Sequence, residues 1–139
     1  MVPPHTVTVA SGTASWTSPS TGGLATVFDG TNLYLDASHS GALIYINVNY
    51  SNSLFNNASS LPDGFTCTLI NVYSTSDSDN LYIYTSNNLF FFTIANTSYS
   101  SYYRSNASYF YIRPGGTVKV NVITISGQKR IYLTGDVID

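Results

Sequence analysis

The stretch Thr117-Val118-Lys119-Val120-Asn121-Val122-Ile123-Thr124-Ile125 decides the fold class. Val118, Val120 and Val122 alternate with Thr117, Lys119 and Asn121 before Ile123 and Ile125 shift the pattern. An apolar residue at every second position is the spacing of a pleated strand with one buried and one wet face, whereas a helix would place such residues three and four apart. Gly127-Gln128 follows, where easy access to positive φ lets the chain reverse, and Lys129 to Leu133 then supplies a second strand candidate.

Working outward, the same period recurs almost everywhere. Val7 and Val9 alternate with Thr6 and Thr8, and further candidates are Leu24 to Phe28, Asn32 to Asp36, Ala42 to Tyr50, Phe65 to Tyr73, Leu81 to Thr85, Leu89 to Ala95 and Tyr109 to Arg113. Turn-forming residues of hairpin type punctuate them at Asp29-Gly30, Ser86-Asn87-Asn88 and Pro114-Gly115-Gly116. About ten short, half-buried strands predict an all-β chain with a single antiparallel β-sandwich, jelly-roll or short-barrel domain. No segment combines amphipathic spacing with helix caps. Two segments read as looser. Ser11 to Gly23 surrounds the only tryptophan, Trp16, and residues 1–23 are expected to form an arm or edge segment beside a domain at 24–139. Tyr50 to Leu61 is a Ser/Asn-rich loop in which Leu54 and Phe55 are expected to anchor onto the core.

Composition supports this reading. The 139 residues carry seven acids, all Asp, against five Lys and Arg, a net charge of −2, and only 9% of the chain is charged. A typical soluble domain has about 25%. With no Glu and little Ala, the chain lacks the residues that make solvated helix faces. Nucleic-acid binding is not expected, because counter-ion release needs several cations on one face. Membrane spanning is not expected either: the longest apolar run, Leu89 to Ala95, falls far short of the roughly 20 residues a helix needs. The N-terminus has neither a basic region nor a long apolar run, which makes synthesis in a cytoplasm the expectation. The single cysteine, Cys67, sits at an alternating position with Phe65 and Leu69 and reads as a buried structural thiol.

Residues able to carry chemistry are few. The two histidines are His5, near the start, and His39, in a Ser-rich turn, and there is no Gly-x-Ser-x-Gly elbow. Asp36 is the one acid inside a strand candidate, and the other acids read as turn residues that bond their own backbone. Asp77, Asp79 and Asn80 have the spacing of part of a calcium loop, but the glycine and the distal Glu are missing. No catalytic residue, metal or cofactor is expected. The most unusual stretch is Tyr99 to Tyr111, where Tyr99, Tyr102, Tyr103, Tyr109, Phe110 and Tyr111 are interleaved with Ser, Asn and one cation, Arg104. Tyrosine offers large apolar area with a hydroxyl handle, a recognition-surface composition. Three readings stand: a subunit interface, a set of core and scattered surface rings, or a sugar-binding face. Trp16, Tyr99, Tyr102, Tyr103, Arg104, Tyr109 and Tyr111 are the candidate contact residues.

Two patches together carry a family resemblance. Leu61-Pro62-Asp63-Gly64-Phe65-Thr66-Cys67-Thr68-Leu69-Ile70-Asn71 and the pair Arg113-Pro114-Gly115-Gly116-Thr117-Val118-Lys119-Val120 and Arg130-Ile131-Tyr132-Leu133-Thr134-Gly135-Asp136 stand in this order. They resemble small β-sandwich modules of tailed-bacteriophage virion proteins: capsid decoration or cement proteins, head fibres and distal tail-fibre domains. The likeness runs from about Asn32 to Asp136. Ile131 and Tyr132 stand where such modules often have Trp, and both the Tyr50 to Leu61 loop and the Tyr-rich stretch lie outside the shared pattern. The resemblance implies a virion structural protein without catalytic residues, assembling as a homotrimer, with a major capsid protein or other virion subunits as partners. Without heptads or repeats to build a fibre shaft, a decoration or cement protein on the capsid surface is expected over a fibre. The alternative is the receptor-binding tip of a tail fibre or spike that contacts host glycan.

Overall fold

A computed structural model describes residues 6–10, 13–17, 25–29, 33–48, 53–73, 80–95 and 101–138. The protein is all-β, with twelve strands among the described residues: β1 (Thr6–Ala10), β2 (Thr13–Thr17), β3 (Ala25–Phe28), β4 (Ala42–Ile46), β5 (Thr66–Asn71), β6 (Leu81–Tyr84), β7 (Phe90–Ala95), β8 (Ser101–Ala107), β9 (Tyr109–Ile112), β10 (Thr117–Ile125), β11 (Gln128–Gly135) and β12 (Val137–Ile138). They form a seven-stranded sheet in the order β3-β4-β5-β10-β11-β7-β8, a three-stranded sheet in the order β12-β9-β6, and a separate β1-β2 hairpin.

The sheet is mixed, contrary to the antiparallel expectation. β3 pairs parallel with β4, β4 with β5, and β7 with β11, while β5-β10, β10-β11 and β7-β8 are antiparallel. Alternation reports which face of a strand is buried and is silent on the direction of its neighbour. Parallel neighbours need a crossover rather than a tight turn, and residues 47–65 are the crossover between β4 and β5. Its Leu54, Phe55, Ala58 and Leu61 are all buried in the core, so the loop anchors as expected. The Lys129 ammonium donates to the carbonyls of Ser59 and Leu61, the end of a short 3-10 turn at Ala58–Ser60.

Three further departures follow from local chemistry. Leu33 to Asp36 is not a strand: Leu35 is buried and donates its N–H to Leu54 O at 2.9 Å, and Asp36 caps a 3-10 turn, Ala37–His39. Within Ser11 to Gly23, residues 13–17 form β2, paired with β1 from Thr6↔Thr17 to Ala10↔Thr13. The turns at Ser86-Asn87-Asn88 and Pro114-Gly115-Gly116 join strands of different sheets, β6 to β7 and β9 to β10, rather than closing hairpins. A two-residue hairpin is found between β10 and β11, where Ser126 (φ 52°) and Gly127 (φ 77°) sit inside the Ile125↔Gln128 pair. Positive φ at both central residues matches the right-handed twist of the flanking strands.

Both sheets share one core. From the large sheet come Ile44, Ile46, Cys67, Leu69, Val118, Val120, Ile131 and Leu133, and from the small sheet Leu81, Ile83, Phe110, Ile112 and Val137. A run of edge-to-face rings ties the parts together: Phe55 of the crossover meets Phe90 of β7 at 5.1 Å, and Phe90 meets Phe110 of β9 at 4.8 Å. Each such ring contributes roughly 1.5–3 kcal/mol by burial, with the ring pairs adding on the order of 1 kcal/mol.

Where the two sheets meet at one end, the residues of the two sequence patches come together. Asn71, fully buried, donates from Nδ2 to Ile112 O (3.0 Å) and accepts the N–H of Tyr73 on Oδ1 (3.1 Å). Its own backbone bonds both Gly116 O and Gly115 N–H across the Pro114 turn. On the other side Asp136 accepts the Thr117 N–H on its carboxylate at 2.9 Å and donates its own N–H back to Thr117 O. A Cβ on Gly135 would lie 2.3 Å from Thr117 O, so a side chain there is excluded by contact as well as by φ. The asparagine, the Pro-Gly-Gly turn and the Gly-Asp pair therefore build one joint that passes the chain between sheets.

Candidate functional site

Strand alternation gives each sheet an outer face, and the two differ in chemistry. On the small sheet Leu81 and Ile83, Phe110 and Ile112 point inward, which turns Tyr82 and Tyr84 of β6 and Tyr109 and Tyr111 of β9 outward. The register places Tyr82 opposite Tyr111 and Tyr84 opposite Tyr109. Tyr82 lies 5.2 Å from Tyr111, 5.4 Å from Tyr84 and 5.8 Å from Tyr109, and Tyr109 meets Tyr111 edge to face at 5.9 Å. The four rings are half-buried, largely against one another. Burial, together with the neighbouring phenols of Tyr111, Tyr84 and Tyr109, pushes the Tyr82 hydroxyl above the usual tyrosine range.

The outer face of the large sheet carries Leu43 and Tyr45 on β4, Thr66, Thr68 and Ile70 on β5, Lys119, Asn121 and Ile123 on β10, and Arg130, Tyr132 and Thr134 on β11. Phe91 breaks the alternation, since Phe90, Phe91 and Phe92 are all buried, yet Phe91 stands outside the shared core. It is covered from the outer side. The Arg130 guanidinium lies 4.8 Å over its ring, Tyr132 packs at 5.4 Å, and Tyr103 reaches it at 6.5 Å. Arg130 Nη1 donates to the Tyr132 hydroxyl at 3.2 Å, which with a bond from Tyr103 holds Tyr132 below the usual tyrosine range. Tyr103 is raised, by burial first and then by donating to Tyr132.

The Tyr99 to Tyr111 stretch is thus divided between faces. Tyr102, Tyr103 and Arg104 lie on β8, the edge strand of the large sheet, whereas Tyr109 and Tyr111 belong to the central strand of the small one. Tyr103 pairs with Thr93 toward the outer face, while Tyr102 pairs with the buried Ile94 and Arg104 with the buried Phe92, on the core side of the edge. Between Phe90↔Ala107 and Phe92↔Arg104, β8 has one residue more than β7, and Asn106 takes up the bulge at φ 53°, its side chain accepting from Gln128 at 2.7 Å. Tyr99 lies outside the described residues, and for Trp16 only its strand position opposite Val7 is described. The candidate contact residues read from the sequence did not include Tyr82, Tyr84, Phe91, Arg130 or Tyr132. The signal available was the alternation of Tyr82 and Tyr84 with Leu81 and Ile83, and of Tyr132 with Ile131 and Leu133.

Polar clusters elsewhere are structural in geometry. Ser38 donates to Asp36 from both its backbone and its hydroxyl, which holds the Asp36 carboxyl below the usual range, and Nδ1 of His39 stands 3.1 Å from the same carboxylate. The Ser38 hydroxyl is engaged by the carboxylate rather than by the imidazole, so the group closes a turn. Asp63 accepts from Thr124 at 2.8 Å. Cys67 is buried, and desolvation pushes its thiol up to about 12. Among the described residues there is no pocket and no group of three His, Cys or Asp side chains spaced to hold a metal, and no helix is long and apolar enough to cross a membrane. Comparison with protein families, with characterised proteins and with solved structures gives no match to this chain.

Proposed function

We propose that the protein is a structural subunit of a phage virion, a capsid decoration or cement protein whose two sheets form a sandwich and which assembles as a homotrimer. The observation that carries this reading is the low charge of both outer faces: four tyrosines on one, and on the other threonines, aliphatics and two cations. Surfaces of that kind present few charges that must be desolvated or paired against protein. A subunit of this design works without chemistry, raising the stability of a shell by mass action as it binds across seams. The resemblance of the patches at Leu61 to Asn71 and Arg113 to Asp136 supplies the virion context, and those residues meet in one joint, as parts of a shared scaffold would. The test is light scattering on the purified chain at micromolar concentration together with co-sedimentation on expanded capsids. A trimer that binds the shell is expected, and a monomer that leaves capsids unoccupied overturns the reading.

One observation favours a second reading, a receptor-binding tip that contacts host glycan. Tyr102 and Tyr103 are 43% and 54% exposed on the edge strand β8. Glycan-array binding that disappears in Tyr102→Ala and Tyr103→Ala would replace the decoration role.

A further inference from the structure

Among the described residues, the outer face of the seven-stranded sheet carries cations and no carboxylate. Lys119 and Arg130 both lie on it, on the neighbouring strands β10 and β11, with Lys119 opposite Thr134 and Arg130 opposite Ile123. Four residues of β11 separate those two levels, roughly 13 Å along the strand. The described acids, Asp29, Asp36, Asp63 and Asp136, all stand in turns or bends outside the strands. No carboxylate among the described residues pairs with Lys119 or Arg130. Arg130 is also partly withdrawn from water, stacked over Phe91, with its buried Nε bonded to nothing. A guanidinium in that position gains from an anion far more than a solvated one does.

From this we infer that the face is a docking surface for a second protein that presents carboxylates to Lys119 and Arg130. The surroundings suit a polypeptide partner. Ile123 and Val27 are 44% and 63% exposed, and Thr68 and Thr134 keep the sheet low, so a flat apolar contact can close around the two charges. A second copy of the chain set face to face does not fit, because the copy's own face brings cations and, among the described residues, no carboxylate to meet Lys119 and Arg130. This rests on the assembly reading above for what the partner is, a shell subunit, but the charge argument for the face stands apart from it.

The test titrates the isotope-labelled full chain with poly-L-glutamate at low salt and follows backbone amide shifts. Amides of 119–123 and 130–134 are expected to move, Lys119→Glu to weaken binding at least tenfold, and Arg113→Glu, which changes an exposed cation away from the face, to leave it unchanged. Lys119 is exposed, so its variant keeps the fold. Shifts confined to other strands, equal loss in both variants, or binding of polygalacturonate but not of poly-L-glutamate would each overturn the inference, the last in favour of an anionic glycan. Light scattering on the same samples separates the two proposals. A monomer that binds through Lys119 sinks the trimer and keeps the face, and a trimer indifferent to poly-L-glutamate does the reverse.

Discussion

The two sheets turn opposite kinds of surface outward although one rule, alternation along the strand, made both. On the small sheet the outward residues are Tyr82, Tyr84, Tyr109 and Tyr111, whose rings cover one another. On the large sheet they are threonines, aliphatics, Asn121, Tyr45, Tyr132, Lys119 and Arg130, and Phe91 is covered by Arg130, Tyr132 and Tyr103. A three-stranded sheet has one central strand and two edges, and large rings on two adjacent strands are enough to shield it. Seven strands are too wide for that. The small face therefore closes largely on its own side chains, and the large face keeps Lys119, Ile123 and Thr134 exposed.

The comparison breaks most severely if the sheets no longer share a core. Phe110 sits between Phe90 (4.8 Å) and Phe92 (6.3 Å) and is fully buried. Phe110→Ala should lower the unfolding free energy by about 3–5 kcal/mol, read from urea denaturation. A loss under 1 kcal/mol would mean that the sheets are held by something other than this contact. Next in size is the joint. Asn71→Ala removes the side-chain donor to the buried Ile112 carbonyl and one of the two acceptors of the Tyr73 N–H, the other being Ile46 O at 3.2 Å, and should cost about 2 kcal/mol. Asn71→Ser, too short to reach both partners, should recover little of it.

How much of this was legible in the sequence depends on what alternation encodes. The strands with an apolar face, such as β4, β5, β10 and β11, could be read directly, as could the burial of Cys67, Leu54 and Phe55. Strand direction could not. β8 was missed as a strand because Ser101 to Asn106 is an edge with little buried on either side, so its residues show no apolar period. Asp36 was misplaced because Leu33 to Asp36 alternates like a strand, while its role depends on Ser38 and His39 following as a cap. The Tyr-rich stretch looked like one surface because the bulge at Asn106, where the chain leaves one sheet for the other, has no signature beyond a single asparagine tolerant of positive φ. The proposed trimer, virion role and partner lie beyond alternation altogether and rest on resemblance and surface chemistry.

The core side of the large sheet sharpens the comparison through pH. Burial raises the Cys67 thiol from 9.0 to about 12. An acid whose folded value lies above its unfolded one holds its proton longer in the native state. Stability is therefore complete below pH 9 and declines as pH rises toward 12, by about 1.4 kcal/mol per pH unit at most. Urea midpoints at pH 8 and pH 10 should differ for the natural chain. The difference should shrink in Cys67→Ala, which lacks the thiol, and an unchanged difference would place the alkaline sensitivity on the tyrosines instead.

The smallest effects test the faces themselves. Tyr82 contacts three rings, so Tyr82→Ala removes half-buried area and leaves Tyr84, Tyr109 and Tyr111 without their common neighbour; about 1–2 kcal/mol is expected. Ile123→Ala, on the open face at 44% exposure, should change stability by no more than about 0.5 kcal/mol. Measured side by side, the two variants separate a face already satisfied within the subunit from one left exposed. A stability loss at Ile123 as large as at Tyr82 would mean that the large face is covered in the isolated subunit. In that event Lys119 and Arg130 would have no room for a second protein.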